Sequence, residues 1–453
     1  MPRLKMLCRH LFAICLAVGA QSWATNNAHS QTFDGSLDSQ FAGRGFQYLQ
    51  TDYLPEISYH TGFAGAIAQD GGYILHGQVG NDFDGPVLDT LVKLHHDGSL
   101  DTRFGNAGTA SRFYGSEPTG VAVLSDGRIV SSTIHDVRIL AANGAPLTTL
   151  VPASGGGLFW VAASTVWNDR ILILSQRSLT DSFQLLLSRL LPSGAPDPDF
   201  NGGEALELAV QQVDPPWLSL KNLAVRPGDG AVALFGNLAT ESSAAMVVMA
   251  VTPAGALDAS FNNHSIANIH FNTCPGVQEL AQGGAWQRDG KLLVFGALNE
   301  SACTQPLDSA RAGVARLNAD GTLDGNYGNA GLVVLDQGGA TPRRLRIAEL
   351  LLQQDQRAVI ASTRDGTDLE SDATLTRLNT DGSVDTSFGS AGQPDAIPGV
   401  ASYDYAHFAF KTTGGSKFYA LLLDANQPVA VGALIGDLLV VRLHNDAIFR
   451  AGF

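Results

Sequence analysis

Arg377-Leu378-Asn379-Thr380-Asp381-Gly382-Ser383-Val384-Asp385-Thr386-Ser387-Phe388-Gly389 is the fullest copy of a pattern that recurs along this chain. An Asp-Gly turn, a second Asp three places on and a closing aromatic return at Asp34–Phe41, Asp97–Phe104, Ser193–Phe200, Ala254–Phe261, Asp320–Tyr327 and Asp446–Phe453. Asn143–Leu150 is a degraded copy. The turn glycines or their equivalents stand at 35, 98, 144, 194, 255, 321, 382 and 447. Those marks bound seven repeats of about 59 residues. A second element, a polar turn leading into an apolar run, has the same count. It is found at Asp70–Leu75, Asp126–Val130, Asn168–Leu174, Gly228–Phe235, Asp289–Phe295, Gln354–Ile360 and Asn426–Val431.

Each repeat reads as four short strands punctuated by Gly, Asp and Asn; in the fifth they are Ser265–Phe271, Val277–Trp286, Lys291–Leu298 and Gly313–Leu317. Arg346–Gln354 has helical periodicity, but it occupies a strand slot of the sixth repeat. Four antiparallel strands repeated at this spacing predict an all-β fold, a seven-bladed β-propeller of four-stranded antiparallel blades. An open β-solenoid-like repeat array is the alternative, and it would need capped ends. Ring closure predicts that a strand near Gly45–Thr51 completes the last blade, and one of the two terminal tails is then surplus. The expected organisation is a signal peptide at 1–24, an N-terminal segment with the first repeat tail at 25–45, and one propeller domain at 46–453.

Composition fits this reading. Gly numbers 50 and charged residues make up 16%, which excludes a long coiled coil, while 45% apolar residues exclude a disordered chain. The net charge is −15. The first 24 residues hold three of the 28 basic side chains and none of the 43 acidic ones, so the remainder carries −18. That balance argues against nucleic acid or an anionic membrane surface as partner.

Residues 1–24 have the form of an export signal. Arg3, Lys5 and Arg9 form the basic start, Leu11–Ala20 the apolar stretch and Ser22-Trp23-Ala24 the cleavage site. The apolar run is too short to span a bilayer, so the expected location is periplasmic or extracellular, with no membrane span in the mature chain. Cys274 and Cys303 would then lie in an oxidising compartment. They are centred on the turn Arg288-Asp289-Gly290, which predicts a disulfide at the open end of a hairpin.

The pattern of Arg377–Gly389 and Arg316–Gly328, with the turn-plus-strand element Arg288–Gly296, resembles the bacterial delta-60 repeat family. The resemblance covers nearly all of the chain beyond the signal and implies an exported β-propeller. It brings no established activity. The copy at Ala142–Leu150 departs most, which points to an irregular second blade.

The repeated side chains read first as structure. Asp38, Asp101, Asp197, Asp258, Asp324 and Asp385 stand three places after the turn glycine. Lys93, Arg189, Arg316, Arg377 and Arg442 stand five places before it, as pairing partners. The aromatics Phe41, Phe104, Phe200, Phe261, Tyr327, Phe388 and Phe453 are expected to plug gaps between blades. Asp197–Gly202 matches half of a calcium loop but lacks its closing bidentate Glu, so no metal and no cofactor is expected. The histidines show no metal spacing, and no nucleophile elbow or phosphate loop is present. Trp160, Trp167, Trp217 and Trp286 fall in or beside strands of the third to fifth repeats, as blade packing or as a weak ligand-stacking set. The expected function is a non-enzymatic propeller scaffold that recognises a glycan or protein through its loops or central mouth. A secreted polysaccharide hydrolase or lyase with carboxylates at the mouth, and a structural module of a cell-envelope assembly, are the alternatives.

Overall fold

A computed structural model describes residues 36–49, 59–80, 88–113, 116–150, 159–179, 182–212, 216–274, 276–299, 310–335, 344–365, 371–389, 400–402, 416–434 and 437–444. Every regular element in them longer than a single turn is a strand. Leu88–Leu94 and Ile129–Thr133 are buried along their whole length, and the polar residues set among their apolar ones, such as Asp89 and Lys93 in the first and Ser131 and Thr133 in the second, are bonded inside.

The strands form sheets in chain order. β2 (Tyr59–Ile67) through β5 (Thr109–Phe113) make one blade and β6 (Pro118–Val123) through β9 (Pro146–Leu150) the next. β10 (Phe159–Trp167) through β13 (Leu206–Gln212) make another, and so do β22 (Arg344–Leu352) through β25 (Val400–Ser402). The closing blade joins β26 (Ser416–Asp424), β27 (Gln427–Leu434) and β28 (Asp437–Arg442) to β1 (Phe46–Leu49) from the other end of the chain.

The expectation of seven separate four-stranded blades is corrected here. Among the described residues, five sheets are four-stranded antiparallel blades, and the strands between them merge into one eight-stranded sheet. In it β14 (Trp217–Val225), β15 (Val232–Ala239), β16 (Ala244–Val251) and β17 (Ile266–Ile269) join β18 (Gln278–Trp286), β19 (Leu292–Asn299), β20 (Ala310–Leu317) and β21 (Leu332–Leu335). The junction is a single parallel pair, Ala244 with Gln278. Small residues on β18 let it approach so closely. The Asn237 side chain accepts the Ala281 N–H at 2.7 Å, and a Cβ on Gly284 would meet the Phe235 ring at 2.5 Å. Arg346–Leu352 is strand, because its place in the sheet outweighs its local helical pattern.

The first strands of successive units, β2, β6, β10, β14, β18, β22 and β26, touch one another in a closed ring around the axis. Apolar clusters fill the spaces between sheets. One joins Tyr73, Leu75 and Val92 of the first blade to Ala420, Val429, Val431 and Val440 of the last, with Phe41 of the N-terminal tail between them.

Each tail folds back onto the third strand of its own blade through one antiparallel pair, as in Leu317 with Leu323 and Leu378 with Val384. In the last blade that pair is Leu443 with Leu37. The N-terminal tail therefore takes the last blade's place in the repeat, and β1 adds its outer strand, Phe46 opposite Val441. The C-terminal tail Asp446–Phe453 lies outside the described residues. In the second blade the degraded tail is itself the outer strand: β9 starts at Pro146, directly after the turn, and pairs with β8 (Val137–Leu140). That is why the repeat is short there.

Phe41→Ala should empty a fully enclosed site at the seam between the two chain ends, at a cost of about 3–5 kcal/mol. Chemical denaturation should show a lower midpoint; an unchanged one would mean that another segment holds the seam.

Candidate functional site

The repeated Asp residues stand inside, joined to their basic partners. Arg189 Nε reaches Asp197 at 2.8 Å, Arg316 Nε reaches Asp324 at 2.7 Å, and Arg377 Nη2 reaches Asp385 at 2.8 Å. Arg442 Nε meets Asp38, across the seam, at 2.8 Å. Lys93 lies 3.5 Å from Asp101 and 2.5 Å from Asp70. The polar-turn element supplies a second cation to three of these carboxylates, through Arg170, Lys291 and Arg357. A further oxygen accepts the backbone N–H two residues on, as from Asn326 to Asp324 at 3.1 Å. Asp258 differs because Ala250 stands where an arginine would; it is half-buried and bonded to Ser260.

The same arginines reach forward. Arg189 Nη1 donates to the Pro253 carbonyl of the next unit at 2.8 Å, and Arg442 Nη1 to that of His96 at 2.8 Å. Their guanidinium groups lie over the tail aromatics, 4.7 Å from the Phe200 centroid and 4.4 Å from that of Tyr327. Phe41, Phe104, Phe200, Phe261, Tyr327 and Phe388 are all buried. Phe41, Phe104, Phe200, Phe261 and Tyr327 pack against the turn of the next repeat; a Cβ at Gly255, whose φ is 82°, would meet Phe200 at 2.9 Å. Phe453 lies outside the described residues. At Asp385 burial pushes the carboxyl up, but the Ser387 hydroxyl, the Arg377 charge and Arg357 outweigh it and bring it down to about 2. The ion pair therefore stabilises the fold above about pH 4 and is lost as pH falls toward 2. Asp197 is committed in the same way, its carboxylate held by two arginines and the Asp199 N–H.

A buried polar group that the repeats did not announce lies between the first and second blades. His76 Nε2 is 2.6 Å from Asp89 Oδ1 with both side chains fully enclosed, Arg138 bonds the other Asp89 oxygen, and Ser131 Oγ stands 3.5 Å from His76 Nε2. A catalytic relay needs base and orienting acid on opposite ring nitrogens. Here Ser131 and Asp89 share Nε2, while Nδ1 faces the Gly120 carbonyl at 3.2 Å. The arrangement is a packing network. Nearby, a cleft of about 300 Å³ is lined by Asp70, Lys93, Gln69 and Ile129, and Asp70 already holds its lysine.

The inner strands present different chemistry. Every one of them carries a register shift, at Thr119, Ala162, Lys221, Gln282, Ala348 and Tyr419 among others. The second strand makes room for it: a Cβ on Gly296 would lie 2.1 Å from the Leu280 carbonyl. Before the shift, burial alternates, with Leu218 and Leu220 covered more than Trp217, Ser219 and Lys221. These strands touch one another around the axis, and before the shift alternate residues on them stay open to solvent. Lys221, Arg346 and Glu117 are exposed, while Trp160, Lys417 and Tyr419 are half-buried on the same alternation. Burial raises the Tyr419 phenol above its ordinary value, and the nearby Arg346 charge pulls it back.

The four tryptophans divide between the two ends of this ring. Trp160 and Trp217 stand at the entry ends of the adjacent strands β10 and β14, and Trp217 is 39% exposed. Trp167 and Trp286 stand at the turn ends and pack between units. Their indoles donate to the Pro227 carbonyl at 3.4 Å and the Ala224 carbonyl at 3.3 Å, and Arg226 covers Trp286 at 5.0 Å.

Glu349 follows the shift in β22, where β14 has Asn222. Asn222 reaches across to the Gln282 carbonyl of the next inner strand at 3.1 Å. Burial raises Glu349 to about 7, against a smaller opposing pull from the Leu350 N–H.

Comparison with known families finds the model described as "Domain of unknown function (DUF5122) beta-propeller" at residues 287–326 and 357–388. These two stretches are similar to the repeats of a β-propeller family. No curated protein matches the sequence. Among solved structures, an oligogalacturonate lyase in complex with manganese is 13% identical over 93% of this chain and 100% of its own, with a TM-score of 0.45. A protein of unknown function from Bacteroides caccae is 13% identical over 76% of this chain and 98% of its own, with a TM-score of 0.39. The extracellular domain of a hybrid two-component system from B. thetaiotaomicron is 10% identical over 93% of this chain and 44% of its own, with a TM-score of 0.43.

No helix among the described residues is long and apolar enough to cross a membrane. Near Cys274, the hairpin register sets Gln278 opposite Asn299. Cys303 lies outside the described residues.

Because Glu349 holds its proton more readily in the fold than in the unfolded chain, where a Glu titrates at about 4.3, its contribution to stability is full below pH 4 and fades as pH rises through 7. Glu349→Gln should therefore melt higher than the parent at pH 8 and alike at pH 4. Equal melting at both values would refute this.

Proposed function

We propose that this chain is an exported, non-enzymatic propeller that binds a glycan at the axial mouth on the entry side of the inner strands. The observation that carries the reading is the exposed alternation of those strands, where Trp160, Trp217 and Tyr419 stand among polar and charged side chains. Aromatic faces stack on sugar rings, and neighbouring hydroxyls and amides supply directional bonds. The connections at that side also vary most, from the short step Leu434–Asp437 to the long span between Ser402 and Ser416. Variable loops on a rigid ring are the usual carriers of recognition. The opposite side is made of near-identical turns, each already occupied in joining units.

Cleavage after Ala24, secretion and a Cys274–Cys303 disulfide belong to the same proposal, as does the narrower likeness to delta-60 repeats. The pairing is supported by the register of β18 and β19: continued four residues beyond Gln278 and Asn299, it sets the two cysteines opposite each other. Intact mass of the chain recovered from an expressing bacterium should show loss of residues 1–24 and of two further hydrogens. A full-length or fully reduced mass would refute both parts.

A glycan-cleaving enzyme is the second reading, favoured by Glu349, whose carboxyl at about 7 suits a general acid near neutral pH. A glycan array should show binding that falls at least tenfold in Trp217→Ala, with the bound glycans recovered uncut. Cleavage abolished by Glu349→Gln would establish the enzyme instead, and an array without any binder would sink the glycan reading.

A further inference from the structure

We infer that the saccharide runs outward from the axial mouth along the cleft between the blade of β10–β13 and the unit of β14–β17, and that it is a neutral chain of flat-faced hexoses. This deepens the glycan reading and rests on it.

Strand register defines the cleft. β10 pairs with β11 (Arg170–Ser178), and β11 with β12 (Ser182–Leu190). Trp160 lies opposite Gln176, and Gln176 opposite Leu185. Phe183 stands two places from Leu185 and so shares its face of the sheet. On that face Leu174, Leu185 and Leu187 pack against Leu220, Leu223 and Leu234 of the next unit. Toward the entry side this packing opens. Leu185 is 2% exposed and Leu220 4%, whereas Phe183 is 36% exposed and Leu218 and Leu238 are half-buried. Two apolar walls thus part toward solvent. Phe183 stands near their rim, Trp160 on the inner strand and Trp217 on the adjacent inner strand.

The lining narrows the ligand. Phe183 and Trp160 are two strands apart, about 10 Å across the sheet, which is more than one sugar ring. A pyranose with equatorial hydroxyls has an apolar C–H face that stacks on an aromatic, and its hydroxyls want neutral donors and acceptors at the edge. The Gln176 amide offers both, on the strand between the two aromatics. The charged groups at this end of the blade turn the other way. Arg177 donates to Gln184, and Gln184 to Glu207. Phe159, opposite Arg177, packs toward Ile139 and Leu150 of the preceding blade. Glu241 stands in the β15–β16 turn, and Lys221 on the other alternation of β14 from Leu218 and Leu220. A neutral chain meets this lining without stranding a charge of its own.

Isothermal titration of the intact secreted protein with cellotetraose, cellobiose and a hexuronate tetrasaccharide tests this. Cellotetraose should bind at least tenfold more tightly than either of the others, with no loss as salt is raised. Phe183→Ala should weaken cellotetraose at least tenfold and leave cellobiose unchanged, because the shorter chain needs only the axial aromatics. Gln176→Ala should do the same, and an unchanged melting temperature shows that each variant is folded. Indifference of cellotetraose to both substitutions, or preference for the hexuronate, would overturn the inference and leave the glycan reading standing. An octapeptide of alternating leucine and serine that binds more tightly than cellotetraose, and is weakened by Phe183→Ala, would give the cleft to a protein partner and overturn the inference too. Failure of all three saccharides would do likewise, and an empty glycan array beside it would remove the glycan reading as well.

Discussion

A carboxylate enclosed between blades is the constraint on which the rest of this structure depends. Asp324 is buried against Arg316 and Lys291, and leaving any one of them without its partners would strand a charge away from water. The arrangement survives because one arginine does several jobs. It neutralises the Asp of its own tail, lies over the tail's aromatic, and donates to a carbonyl of the following unit. Strand pairing holds each sheet together internally. This polar join, with apolar contact around it, holds sheet to sheet, and the ring of inner strands inherits its spacing from that join.

The structure is uniform on one side and varied on the other for the same reason. Turns that must seat an aromatic from the preceding unit tolerate little change, as the clash of a Cβ at Gly255 with Phe200 illustrates. Connections at the entry side have no such duty. Sequence change can accumulate there, and along the exposed edge of the inner strands, without loosening the ring.

Much of this was legible in the sequence because it is repeated. The Asp, its arginine and its aromatic recur at fixed offsets, and only a shared structural task needs the same residues in every unit. The strand over Arg344–Leu352 could be read from its slot in the repeat against its own periodicity. What escaped was whatever occurs once. Fusion of sheets through Ala244 and Gln278 depends on a close approach allowed by small residues on β18, which no repeat arithmetic reveals. The His76–Asp89–Arg138 network joins side chains from three strands. The four tryptophans, close in repeat number, sit at opposite ends of their strands because each lies at a different place in its own hairpin.

The seam has a consequence for how the molecule comes into being. Asp38 must find Arg442, and β1 must find β28, so contacts that complete the ring join the earliest and latest parts of the described chain. Loop closure over such a span is slow compared with pairing inside a blade. A chain emerging from its N-terminus would assemble sheet after sheet while β1 waits with an unpaired edge, open to a wrong partner, until the final strand arrives. The last hydrogen bonds to form are thus the ones that turn a row of sheets into a ring, and only from that moment does the protein have an inside around its axis.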